Sequence, residues 1–126
     1  MSKIVKLDFC SLEFKDRVVI AIINEGIHID YYYSKQIANT CLDYFKDQPF
    51  VYLTHRKKSY SVDVTKYTFV NDLKTLKGFG VISTSLSARN AEIENLFISK
   101  PFEIFDTIED ALIWAKQVLE NDEIES

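Results

Sequence analysis

A chain of 126 residues suits a single domain, since domains commonly hold ~100–150 residues, and 47% hydrophobic content excludes intrinsic disorder. Fifteen basic against nineteen acidic residues leave a net charge of −4, the wrong sign for general nucleic-acid binding or attachment to anionic lipid. Three glycines and two prolines exclude collagen-like and Pro-rich classes, and they spell neither GxGxxG nor GxxxxGK[ST], so no glycine-rich phosphate cradle is present.

In chain order, Ile4–Phe14 alternates only loosely and predicts one edge strand. Val18–Ile23 is β-branched and continuous, as a strand covered on both faces should be. Asn24–Glu25–Gly26 then predicts a turn into Ile27–Asp30, which alternates strictly and would complete an antiparallel hairpin.

Four helices alternating with strands are expected next. Ser34 is a candidate N-cap for the first, with Ile37, Cys41, Tyr44 and Phe45 on one face, and the helix must stop before Pro49. A strand follows at Phe50–Thr54. Asp63 or Thr65 can cap a second helix with a Phe69, Leu73, Leu76 stripe, closed by Gly78. Val81–Thr84 predicts a short strand, and Ser85 or Ser87 opens a third helix holding Ile93, Leu96 and Phe97. Pro101 suits the start of a last strand, Phe102–Phe105. Thr107 and Asp110 form a capping box before a wide stripe of Ile108, Ala111, Leu112, Ala115, Val118 and Leu119. Residues 1–120 thus read as one domain, and 121–126 as a frayed acidic tail. The pattern predicts an α/β class: a mixed sheet with an N-terminal antiparallel hairpin and about four helices packed on it.

The longest apolar run, Val18–Ile23, has six residues against the ~20 that span a bilayer, so no membrane span is expected. Lys3, Lys6 and Asp8 break up any apolar core of an export signal, which predicts a cytoplasmic protein. Cys10 and Cys41 would there be reduced thiols, buried as small hydrophobes among Phe9, Leu12 and Leu42.

The element order and several strings resemble the anti-sigma-factor antagonist-like domains of the STAS-like fold. Small Bacteroidetes proteins of that type are the nearer likeness. The matching strings are residues 25–31, Phe50–Thr54, Ser59–Thr65, Lys100–Pro101–Phe102 and the closing run from Phe105 to Trp114. The resemblance implies a non-enzymatic regulatory module that docks a protein partner by a sheet edge or helical face. A homodimer is one form this could take. It also implies a phosphoswitch at a Ser or Thr opening the second helix, here Ser59, Ser61 or Thr65, although the Asp-Ser-x-Gly-Leu-Gly pattern of such switches is absent. An apolar-ligand or lipid-binding domain is the alternative, since the fold is also similar to the CRAL–TRIO lipid-transfer fold.

Individual residues carry two readings each. Arg56, Lys57 and Lys58 could pair with a phosphoserine at Ser59 or Ser61, or the whole loop could be a solvated run with capping hydroxyls. His28, Asp30 and His55 could ligate a metal or form an acid–base set, or be ordinary strand-surface residues; no further zinc ligands stand at suitable spacing. Tyr31, Tyr32 and Tyr33 cannot all enter one core, so at least one is expected to be exposed as a partner contact, unless the three plug a loop. Trp114 would widen the core face of its helix. No nucleophile elbow, paired catalytic carboxylates or cofactor fingerprint occurs, so no catalytic residue, cofactor or metal is assigned.

Overall fold

The computed structural model of the chain describes residues 2–56, 61–62, 70–83 and 94–125, with backbone alone at 61, 62 and 125. Its centre is a six-stranded mixed sheet in the order β1-β2-β3-β5-β7-β8. Strands β1 (Ser2–Lys6), β2 (Cys10–Lys15) and β3 (Val18–Ile23) form an antiparallel meander. Strands β5 (Phe50–His55), β7 (Leu76–Ile82) and β8 (Phe102–Phe105) then extend β3 in parallel. Two short strands, β4 (His28–Ile29) and β6 (Ser61–Val62), make a separate parallel pair.

Helix α1 (Tyr31–Phe45) packs Ile37, Cys41 and Phe45 into one core with Leu12, Phe14, Val19, Ala21, Phe79 and Val81. Helix α2 (Ile108–Glu125) packs Ala111, Ala115 and Leu119 against Val18, Ile20, Val51, Leu53 and Ile82 on the opposite face. Residues 18 to 21 of β3 alternate between these two cores, which is why that strand reads as a continuous apolar run.

Several expectations are corrected. Ile4–Phe14 is two strands, because Leu7 N–H donates to the Cys10 carbonyl and turns the chain between them. The hairpin forms between β2 and β3, with Asp16 at φ 53 in its turn, and not across Gly26. Gly26 does adopt a positive φ of 80, but β4 beyond it leaves the main sheet to pair with β6. Helix α1 starts one turn earlier than Ser34, because Asp30 caps it: Tyr33 N–H donates to Asp30 Oδ1 at 3.0 Å.

The expected second helix fails at its C-terminal end. Leu76, Gly78 and Gly80 lie in β7, where the glycines admit the Trp114 ring, and Gly78 caps no helix. Two full helices, not about four, are present among the described residues. Of the expected second helix, residues 70–75 form a short 3₁₀ turn at 70–72 followed by a turn at 74–75. Of the expected third helix, residues 94–95 are helical while Leu96 and Phe97 lie in a turn; 63–69 and 84–93 lie outside the described residues. Residues 121–125 of the acidic tail continue α2, which runs to Glu125 and is tied by Lys77–Asp122 at 3.4 Å and Arg17–Glu123 at 2.8 Å; Ser126 lies outside the described residues.

Other expectations hold. Strand β8 spans Phe102–Phe105 as read. Thr107 caps α2, its Oγ1 accepting from Asp110 N–H at 3.2 Å. Trp114 joins the core beneath α2.

Candidate functional site

Capping by Asp30 decides where the three tyrosines go. With Asp30 as N-cap, Tyr31–Tyr33 form the first turn of α1 rather than a loop, and successive helical positions must point in different directions. Tyr33 turns inward and stacks on Phe9 with ring centroids 4.1 Å apart. Tyr31 and Tyr32 turn outward, 40% and 78% exposed, in an edge-to-face pair at 6.1 Å. Lys35, one turn on, holds its Nζ 5.6 Å from the Tyr31 ring centroid. The expectation of at least one exposed tyrosine therefore holds for two.

The carboxyl ends of the parallel strands gather the polar side chains. Arg56 follows β5, and its N–H donates to the Ile82 carbonyl of β7 at 2.9 Å. Its guanidinium is not a surface cation: it pairs with Glu94, and the two side chains are only 6% and 2% exposed. Low exposure makes the pair mutually dependent, since removing either charge takes an opposite charge from the other in a poorly solvated site. Sequence reading missed Glu94. Glu94 follows Ile93 in a stretch that also holds Glu92 and Asn95, so nothing local sets it apart, and nothing in the order of residues links it to Arg56, 38 positions away.

The remaining candidates are dispersed. His28 is exposed on β4, while Asp30 has left that strand and commits Oδ1 to the helix cap, so the two do not share a strand face. His55 is half-buried at the end of β5 in the main sheet. No group of three metal-ligating side chains occurs among the described residues. Lys57, Lys58, Ser59 and Thr65 lie outside the described residues, and Ser61 is placed only by its backbone, in β6 beside His28.

Between α1 and the sheet lies a cavity of about 60 Å³, lined among the described residues by Ile37, Phe50, Leu73, Phe79 and the hydroxyls of Ser34 and Thr54. That volume falls far below the ~300–1,000 Å³ of small-molecule pockets. Cys41 borders it, and Cys10 belongs to the same core. Burial pushes both thiols up to about 12, with the neighbouring Cys10 adding to the effect at Cys41. A thiolate is strongly disfavoured in that setting, so these cysteines act as small core hydrophobes.

No protein-family model matches the chain, and no curated protein matches it. A solved structure does. The crystal structure of an uncharacterized protein from the DUF3478 family, from Shewanella loihica PV-4 and described as having a SpoIIAA-like fold, superposes with a TM-score of 0.54. The superposition covers 91% of this chain and 95% of that one, at 16% identity. So low an identity speaks to architecture alone. The protein therefore has a mixed α/β fold of the SpoIIAA-like, STAS-like class. No helix among the described residues is long and apolar enough to cross a membrane.

Proposed function

We propose that this protein is a non-catalytic regulatory domain of the STAS type, acting in the cytoplasm by docking a protein partner. The observation that carries the reading is the SpoIIAA-like architecture extending over nine-tenths of the chain. Function inferred from fold is an analogy. The local chemistry agrees with it: Asp30 is engaged in a helix cap and Arg56 and Glu94 in an ion pair, so these polar groups serve the structure. Kinship with small Bacteroidetes proteins of this fold is part of the same reading.

The Tyr31–Tyr32 pair is the docking contact in this reading. Exposed tyrosines offer rigid apolar area with a polar tip, the composition found at the centre of many interfaces. Residues 57–65, which hold Lys57, Lys58, Ser59, Ser61 and Thr65, are the regulatory element in this reading. Phosphate there adds ≈ −1.5 to −2 charge to a stretch that also carries two lysines in sequence, and so alters how it meets a partner.

Affinity purification from the native host, followed by mass spectrometry, tests both parts at once. The expected result is one stoichiometric protein partner, retained by the wild-type chain and lost from the Tyr31→Ala/Tyr32→Ala variant, with phosphate on Ser59, Ser61 or Thr65. Recovery of a bound lipid and no protein would overturn the reading in favour of a carrier.

A further inference from the structure

Strand β1 forms one margin of the sheet and pairs only with β2. Ser2, Lys3, Ile4 and Lys6 are exposed, and Val5 alone is half-buried. Helix α2 packs on β5, β7 and β8, well away from this margin. The outer row of β1 backbone N–H and C=O groups thus lacks a strand to pair with among the described residues, and such an edge is a template for strand addition.

Its charge is opposite to that of the chain. The protein carries −4 overall, yet β1 and β2 together hold Lys3, Lys6 and Lys15 against one carboxylate, Glu13. Lys6 and Lys15 enter no ion pair among the described residues. The Lys3 ammonium lies 6.0 Å over the Tyr44 ring, which itself stacks on Phe14 at 4.2 Å. Lys3 and Lys6 point to opposite faces of the sheet, as odd and even positions of a strand must, so both sides of the edge are basic.

We propose that the β1 edge is a docking strand for an extended acidic segment of a partner protein, added as a seventh strand. Main-chain hydrogen bonds would supply affinity, and carboxylates beside Lys3 and Lys6 would supply selectivity. The same lysines discriminate against a second copy of this chain, because joining two β1 edges brings four lysines together. This inference goes beyond the tyrosine contact and uses a different surface.

The test is fluorescence anisotropy with a labelled ten-residue peptide of alternating glutamate and valine, against a lysine–valine control. A third peptide, N-methylated at every residue, lacks its main-chain donors on both edges. The acidic peptide should bind at least about tenfold more tightly than both controls, and weaken at least tenfold on raising the salt or introducing Lys3→Glu/Lys6→Glu. Amides of β1 should gain hydrogen-exchange protection in the complex. Both lysines are exposed, and an unchanged Tm confirms that the variant folds. Equal binding of acidic and basic peptides, no binding to about 1 mM, or β1 protection arising from self-association without peptide would each overturn the proposal. These outcomes leave the Tyr31–Tyr32 contact untouched, so the two readings fail separately.

Discussion

Trp114 on α2 rests against Gly80 on β7, where an added Cβ would stand 3.2 Å from the indole Cζ3 and 2.6 Å from Cδ2 of Leu53. Leu53 is fully buried, so its methyl has no open space to swing into. At Gly78, two residues earlier on the same face, an added Cβ would stand 3.1 Å from Trp114 Cη2. Two bare backbone positions thus form the seat of the one tryptophan. Gly80→Val should destabilise the protein by about 1–3 kcal/mol through overpacking, measured by urea unfolding. An unchanged midpoint would show that α2 can lift from the sheet without cost.

Arg56 and Glu94 should behave as a unit. Removing one charge, as in Arg56→Met or Glu94→Leu, leaves the other buried and should cost about 3–5 kcal/mol. The double variant Arg56→Met/Glu94→Leu should recover part of that loss, because neither buried charge is then left without its opposite. A double-mutant cycle by chemical denaturation measures this, and additive losses would contradict the pairing.

The two core thiols give a signed pH dependence. Their folded pKa values of about 12 stand above the ~8.5 of an unfolded cysteine, so the folded state holds these protons longer. Their contribution to stability is complete below about pH 8.5 and is lost as pH rises through the interval up to about 12. Native protein should react with Ellman's reagent at pH 8 only at the rate of unfolding, whereas the Cys10→Ala/Cys41→Ala variant should lose this component of the alkaline decline. Rapid labelling of the folded chain would contradict the burial.

The cap of α1 separates two nearby candidates. Asp30→Ala should cost about 0.5–2 kcal/mol, by removing the acceptor for Tyr33 N–H. Ser34→Ala should leave helix initiation intact, since Ser34 lies inside the helix and its own N–H already donates to the Asp30 carbonyl. A larger loss of α1 amide protection in the Ser34 variant would return the cap to where the sequence pattern first places it.

What could be read in advance was local. The Thr107–Asp110 cap and the α2 stripe are set by neighbours within a few residues, and both are found as read. Val18–Ile23 announces its doubly covered position by composition alone. Strand β7 hid its period-two pattern, because the positions facing α2 are Gly78 and Gly80 and only Ile82 shows as apolar. The partner of β3 was misjudged for a different reason: β2 and β4 each lie one turn away, and the choice rests on burying Leu12 and Phe14 under α1. Arg56 looked like a surface cation, since its partner Glu94 is supplied by tertiary structure. The exposure of Tyr31 and Tyr32 was legible from three consecutive aromatics, although their helical setting was not.

Titration calorimetry of the purified host partner against the wild-type and Tyr31→Ala/Tyr32→Ala proteins tests the docking account most directly. The account predicts one-to-one binding that weakens at least about a hundredfold in the variant, equivalent to ~2.7 kcal/mol, with Tm unchanged. Undiminished affinity in a folded variant would contradict it.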